Sequence, residues 1–183
     1  MSLDLIQEIA KSKFLLILLE EKEYTAKLQE IIKSVENTRT KICYVCLSKP
    51  YTDVMEDIRK QKFNVSDFFF IDVLSSHYKE QESVGNCIFV SAPTNLAAVR
   101  EAVRKAVEDK KCSVILFDTI STLLVYQETS SIVKFTHHIL TDKEQENTKK
   151  LFIVLKGDTA SGKENKTLIK DLSMFADSTL DLK

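Results

Sequence analysis

Phe14-Leu-Leu-Ile-Leu-Leu-Glu20-Glu21-Lys22-Glu23-Tyr24 is a continuous apolar run that gives way to charge within one residue. A short run that is apolar on both alternating faces reads as a strand covered on both sides, the pattern of a parallel sheet between helices. The junction after such a strand is where a phosphate loop would lie. That loop needs glycines, so that the backbone can turn and aim N–H groups at the anion, and then a Lys followed by Ser or Thr. Between Leu19 and Lys27 there is neither. Glu20, Glu21 and Glu23 instead stand at the expected start of the next helix. There they complement its dipole as a phosphate would, and they would repel a nucleotide.

Outward from this stretch the chain alternates. Further strands are read at Lys41–Leu47, Asp67–Asp72, Asn86–Ser91, Cys112–Asp118, Leu151–Leu155 and Ser178–Leu182, most of them continuous apolar runs of the same kind. Helical periodicity occupies residues 3–11, 24–35, 52–62, 96–109, 129–140 and 166–175. Leu3, Ile6, Ile9 and Ala10 would form the buried side of the first helix. Leu96, Val99, Val103, Ala106 and Val107 would form that of the fourth, with Thr94 as its N-cap and Glu101 paired to Lys105 on its wet face. The expected architecture is a three-layer αβα sandwich around a mostly parallel sheet.

The 183 residues, 44% hydrophobic and 29% charged, suffice for one sizeable core, and the chain is read as a single domain over 1–183. A net charge of -1 argues against a polyanion as the default partner. No apolar run approaches the roughly 20 residues that span a bilayer, and Met1-Ser-Leu-Asp-Leu5 has no basic leader region. The expectation is a cytoplasmic protein with no membrane contact.

Cys43 and Cys46 form a C-x-x-C pair, but residues three apart on a strand face opposite ways and cannot chelate one ion. They, Cys87 and Cys112 are expected to be buried and reduced, and no metal site is expected. His77 and Tyr78 fall in a polar loop between Ser75 and Asn86. His137 and His138 lie about 100° apart on a helix, one semi-buried and the other exposed, and no metal role is assigned to them. Gly157-Asp-Thr-Ala-Ser-Gly162-Lys163-Glu164 matches G-x-x-x-x-G-K, yet Glu164 stands where the Mg²⁺-binding hydroxyl belongs, so a polar turn is expected there. Asp118 ends an apolar strand, where an acid can orient Mg²⁺ or cap the next turn, and the cap is expected.

In order along the chain, Lys41–Tyr51, Phe68–Leu74, Asn86–Leu96 and Phe117-Asp-Thr-Ile-Ser-Thr-Leu-Leu-Val-Tyr126 resemble the KaiC-like branch of RecA-fold ATPases. The likeness lies toward uncharacterised archaeal KaiC-like proteins without a phosphate loop, and it extends from about Lys13 to Leu182. It implies a RecA-like sheet with Asp118 in the Mg²⁺-orienting position. It also implies a pair of glutamates before the turn at Pro50, one of them the base that activates water; Ser48 and Lys49 hold those places. A charged lysine cannot accept that proton.

The expectation is therefore a noncatalytic interaction or regulatory module, a pseudo-ATPase with no cofactor. Its vestigial site would comprise Glu20, Glu21, Lys22, Ser48, Lys49 and Asp118, with Glu20, Glu21 or Tyr24 filling the phosphate position. Its partner would be a protein, either a second copy or an intact KaiC-like relative. The alternative is an atypical nucleotide binder using Asp118 and the loop of Gly157, Gly162 and Lys163.

Overall fold

The computed structural model describes residues 3–36, 40–75, 84–91, 93–157 and 162–183. Its elements alternate as read: α1 (Leu3–Lys11), β1 (Phe14–Leu19), α2 (Tyr24–Glu36), β2 (Ile42–Cys46), α3 (Tyr51–Lys60), β3 (Phe68–Asp72), β4 (Cys87–Phe89), α4 (Leu96–Glu108), β5 (Val114–Asp118), α5 (Thr129–Thr141), β6 (Lys149–Leu155), α6 (Gly162–Ser173) and β7 (Ser178–Leu182). The strands form one sheet in the order β4-β3-β2-β5-β6-β1-β7, and every pairing between them is parallel.

The continuous apolar runs are explained by two separate cores. Even-numbered residues of β1 and β6 and odd-numbered residues of β2, β3 and β5 face α4, α5 and α6. The opposite parity faces α1, α2 and α3. Cys43 lies in the first core and Cys46 in the second, so the C-x-x-C pair straddles the sheet. All four cysteines are free and buried. Burial pushes their thiols up, Cys87 to about 12 and Cys112 to about 11.

Several local expectations are corrected. Asn95, not Thr94, caps α4, its side chain accepting from Ala98 N at 3.0 Å. Arg104 bridges Glu101 and Glu108, displacing the expected Glu101–Lys105 pair, because its fork reaches one turn either way. In α1 the buried residues are Leu5 and Ile9, while Ala10 is exposed. His137 and His138 are both exposed. The helix expected from Lys166 begins at Gly162, so Lys163 and Glu164 belong to its first turn. His77, Tyr78 and residues 158–161 lie outside the described residues.

Candidate functional site

Cys46 is in register with Asp118 on one side and Asp72 on the other, so two acids flank it at the carboxyl ends of β5, β2 and β3. Alternation turns their side chains toward the α1–α3 face. Both are fully buried, and each meets its need for donors in a different way.

Asp72 is a structural anchor. Its Oδ2 accepts from Tyr51 N at 2.7 Å and Ser75 Oγ at 2.6 Å, and its Oδ1 from Leu74 N at 2.7 Å and Ser75 N at 2.9 Å. One carboxylate thus satisfies the first N–H of α3 from a neighbouring strand and closes the turn after β3.

Asp118 does not cap the turn that follows it. Its carboxylate is covered by two tyrosine hydroxyls. The Tyr24 hydroxyl lies 2.7 Å from both oxygens, and the Tyr44 hydroxyl donates to Oδ2. Leu47 N and Ser48 N bond the Asp118 carbonyl oxygen at 2.9 and 3.0 Å, and Ser48 Oγ adds a third donation to it at 3.2 Å. Ser48 Oγ also stands 3.3 Å from the Tyr24 hydroxyl. Burial raises the carboxyl of Asp118 above its ordinary range, opposed by the two tyrosines and by the positive charge of Lys49. Burial likewise raises both tyrosines, which keeps them protonated and able to donate.

Tyr24 reaches Asp118 because a single 3-10 turn, Glu21–Glu23, carries the chain directly from β1 into α2. Glu20 and Glu21 do not approach the acid. Glu20 pairs with Lys156 at 3.1 Å, and Glu21 and Lys22 lie on a different cleft. Lys49 pairs with Asp57 at 3.0 Å and sits 5.9 Å from the Tyr24 ring centre. Beneath these rings a void of about 20 Å³, lined by Tyr24, Tyr44, Val54 and Ile58 among others, has room for about one water.

The second cleft, about 790 Å³, opens where β1, β6 and α6 meet and is lined by Glu20, Glu21, Lys22, Lys156, Asn165 and Lys166, with Gly157 and Ile169. Asp118 is not on its wall. The acid and the Gly157 segment, joined in one expectation, therefore border different spaces. Among the described residues no group of three or more His, Cys, Asp or Glu could hold a metal ion, and no helix is long and apolar enough to cross a membrane.

Tyr44, Asp72 and Asn165 escaped the sequence reading. Tyr44 looks like core within an apolar strand, and only the register that brings it beside Asp118 gives its hydroxyl a target. Asp72 carried a visible signal, an acid closing an apolar run before Ser75.

No family model matches the sequence, and the search of curated proteins gave no match. Solved structures do match. The KaiC-like protein PH0186 of Pyrococcus horikoshii OT3 is 13% identical over 93% of this chain and 73% of its own, with a TM-score of 0.61. The uncharacterised protein PH0321 of Pyrococcus horikoshii, solved in complex with an unknown peptide, is 12% identical over 98% of this chain and 82% of its own, with a TM-score of 0.72. At such identities the likeness is one of architecture: the chain has a KaiC-like, RecA-type α/β fold.

Proposed function

We propose that this chain is a noncatalytic KaiC-like domain, a pseudo-ATPase that has lost its phosphate loop and acts through protein interaction or regulation. One observation carries the reading. The acid that the resemblance assigns to Mg²⁺ is fully buried beneath Tyr24 and Tyr44, with its acceptors occupied. Supporting it, Lys49, in the place of a catalytic glutamate, is held by Asp57. A cation there cannot act as a general base.

The partner in this reading is a protein, either a second copy or an intact KaiC-like relative, met in the cytoplasm of an archaeal cell. A neighbour of the same fold carries a peptide, which is compatible with a protein ligand. The test is calorimetric titration of nucleotide-free protein with ATP, with and without Mg²⁺, able to detect a Kd near 100 μM, about -5.5 kcal/mol. Phosphate release is followed in parallel. The expected result is no saturable heat and no turnover; Mg²⁺-dependent turnover that disappears in Asp118→Ala would overturn the proposal.

The nucleotide-binding alternative is favoured by the lysine-lined cleft that contains Gly157. It predicts saturable ATP binding weakened by Lys163→Ala.

A further inference from the structure

The cleft between the carboxyl ends of β1 and β6 and the first turn of α6 shares no lining residue with the Asp118 network. Its charges are unevenly placed. Lys156 is held by Glu20 and Asp181, whereas Glu21, Lys22 and Lys166 make no ion pair among the described residues. Lys156 with its two carboxylates carries a negative charge that balances the surplus of Lys22 and Lys166 over Glu21, so the cleft is neutral overall and its positive character is local, at Lys22 and Lys166. The N-terminal dipole of the 12-residue α6 adds to it.

Asn165 supplies a second, independent observation. It lies in the cleft wall, 6% exposed, and its Nδ2 donates to Leu155 O at 2.7 Å. Its Oδ1 is buried with no partner. A buried acceptor without a donor is costly, and a donor brought by a ligand removes that cost. Half-buried Ile169 offers the same cleft an apolar surface.

We propose that this cleft binds a carboxylate with an adjacent N–H donor and an apolar side chain, the chemistry of a peptide C-terminus and of a free N-acyl amino acid. The carboxylate sits between Lys22 and Lys166 at the start of α6. The neighbouring N–H donates to Asn165 Oδ1, and the side chain rests on Ile169. None of this depends on whether the Asp118 site is catalytic.

The experiment is an NMR titration of the whole chain with an N-acetylated tripeptide ending in leucine, as the free acid and as its C-terminal amide. N-acetylleucine, inorganic phosphate and ATP are titrated separately. The free acid is expected to shift the amide signals of Lys22, Asn165, Lys166 and Ile169 in a saturable way and to bind about tenfold more tightly than the amide. Lys22→Ala with Lys166→Ala, both on exposed side chains, should weaken it by at least as much with an unchanged melting temperature. N-acetylleucine should outbind 4-methylpentanoic acid, which lacks the N–H donor, and Asn165→Ala should abolish that preference. A peptide that outbinds N-acetylleucine identifies a protein terminus as the source, and equal binding identifies the small molecule. Equal affinity of acid and amide, indifference to the lysine substitutions, or tighter binding of phosphate or ATP at the same signals overturns the proposal.

Discussion

Tyr24→Phe isolates the contact on which the candidate site turns. The substitution keeps the ring and removes one hydroxyl that lies 2.7 Å from both oxygens of Asp118. A hydrogen bond to a charged group contributes about 1.5–3 kcal/mol. Asp118 is closed to solvent, so no water can take the hydroxyl's place without entering the small void beside it. The Tyr44 donor remains, which holds the expected loss to about 2 kcal/mol at neutral pH. For a domain of this size that lowers the melting temperature by about 4–8 °C.

The loss should depend on pH, and its sign follows from the raised carboxyl of Asp118. A carboxyl raised in the folded state contributes stability below its unfolded pKa of 3.8, and that contribution fades as pH rises through the folded value. Removing the Tyr24 donor raises the folded value further. The deficit of Tyr24→Phe should therefore be greatest where Asp118 is ionised and should shrink as the solution is acidified. Urea unfolding of both proteins across the acid range measures this directly. Tyr51→Phe is the control, since its hydroxyl donates to the neutral Asn86 Oδ1 at 2.9 Å. A loss below about 0.5 kcal/mol at neutral pH, or one independent of pH while the control behaves normally, would refute the reasoning.

Asp72→Ala orphans the N–H groups of Tyr51, Leu74 and Ser75 together and should cost about 3–5 kcal/mol by denaturant titration, with Asp72→Asn costing less. Lys150 is 3% exposed, its Nζ donating to the Gln145 and Thr148 carbonyls, and burial lowers it to about 8. The unfolded chain then binds more protons between about pH 8 and 10.5, so stability should rise across that window by at most about 3 kcal/mol. Lys150→Met should abolish that rise in unfolding curves taken at each pH. The four buried thiols, all raised by burial, should resist a thiol reagent in the native protein and react at the rate of unfolding; rapid labelling of any one would contradict its placement.

The layers were legible because hydrophobicity is local. The inner strands are buried on both faces, and Phe14–Leu19 or Val114–Asp118 shows it without reference to any other segment. The ends of elements were less legible. Thr94 and Asn95 are both good caps, and the choice between them depends on which side chain reaches Ala98 N. The early start of α6 was hidden because glycine and a polar run resemble a turn. The acid of the candidate site could be picked out because it ends a strand. Its covering could not, since a tyrosine in an apolar strand has the same appearance whether its hydroxyl meets water or a carboxylate.

The Tyr24–Asp118 contact joins residues 94 positions apart, and Tyr44–Asp118 joins residues 74 apart. Neither can form until β1, β2 and β5 have taken their places in the sheet, because closing such long loops precedes any return from the contact. These hydroxyls therefore act on the lifetime of the assembled chain more than on how quickly it assembles. Losing one should hasten unfolding and leave the folding rate nearly unchanged, as for any interaction absent from the transition state. What closes the pocket chemically thus also sets how long the sheet persists between openings.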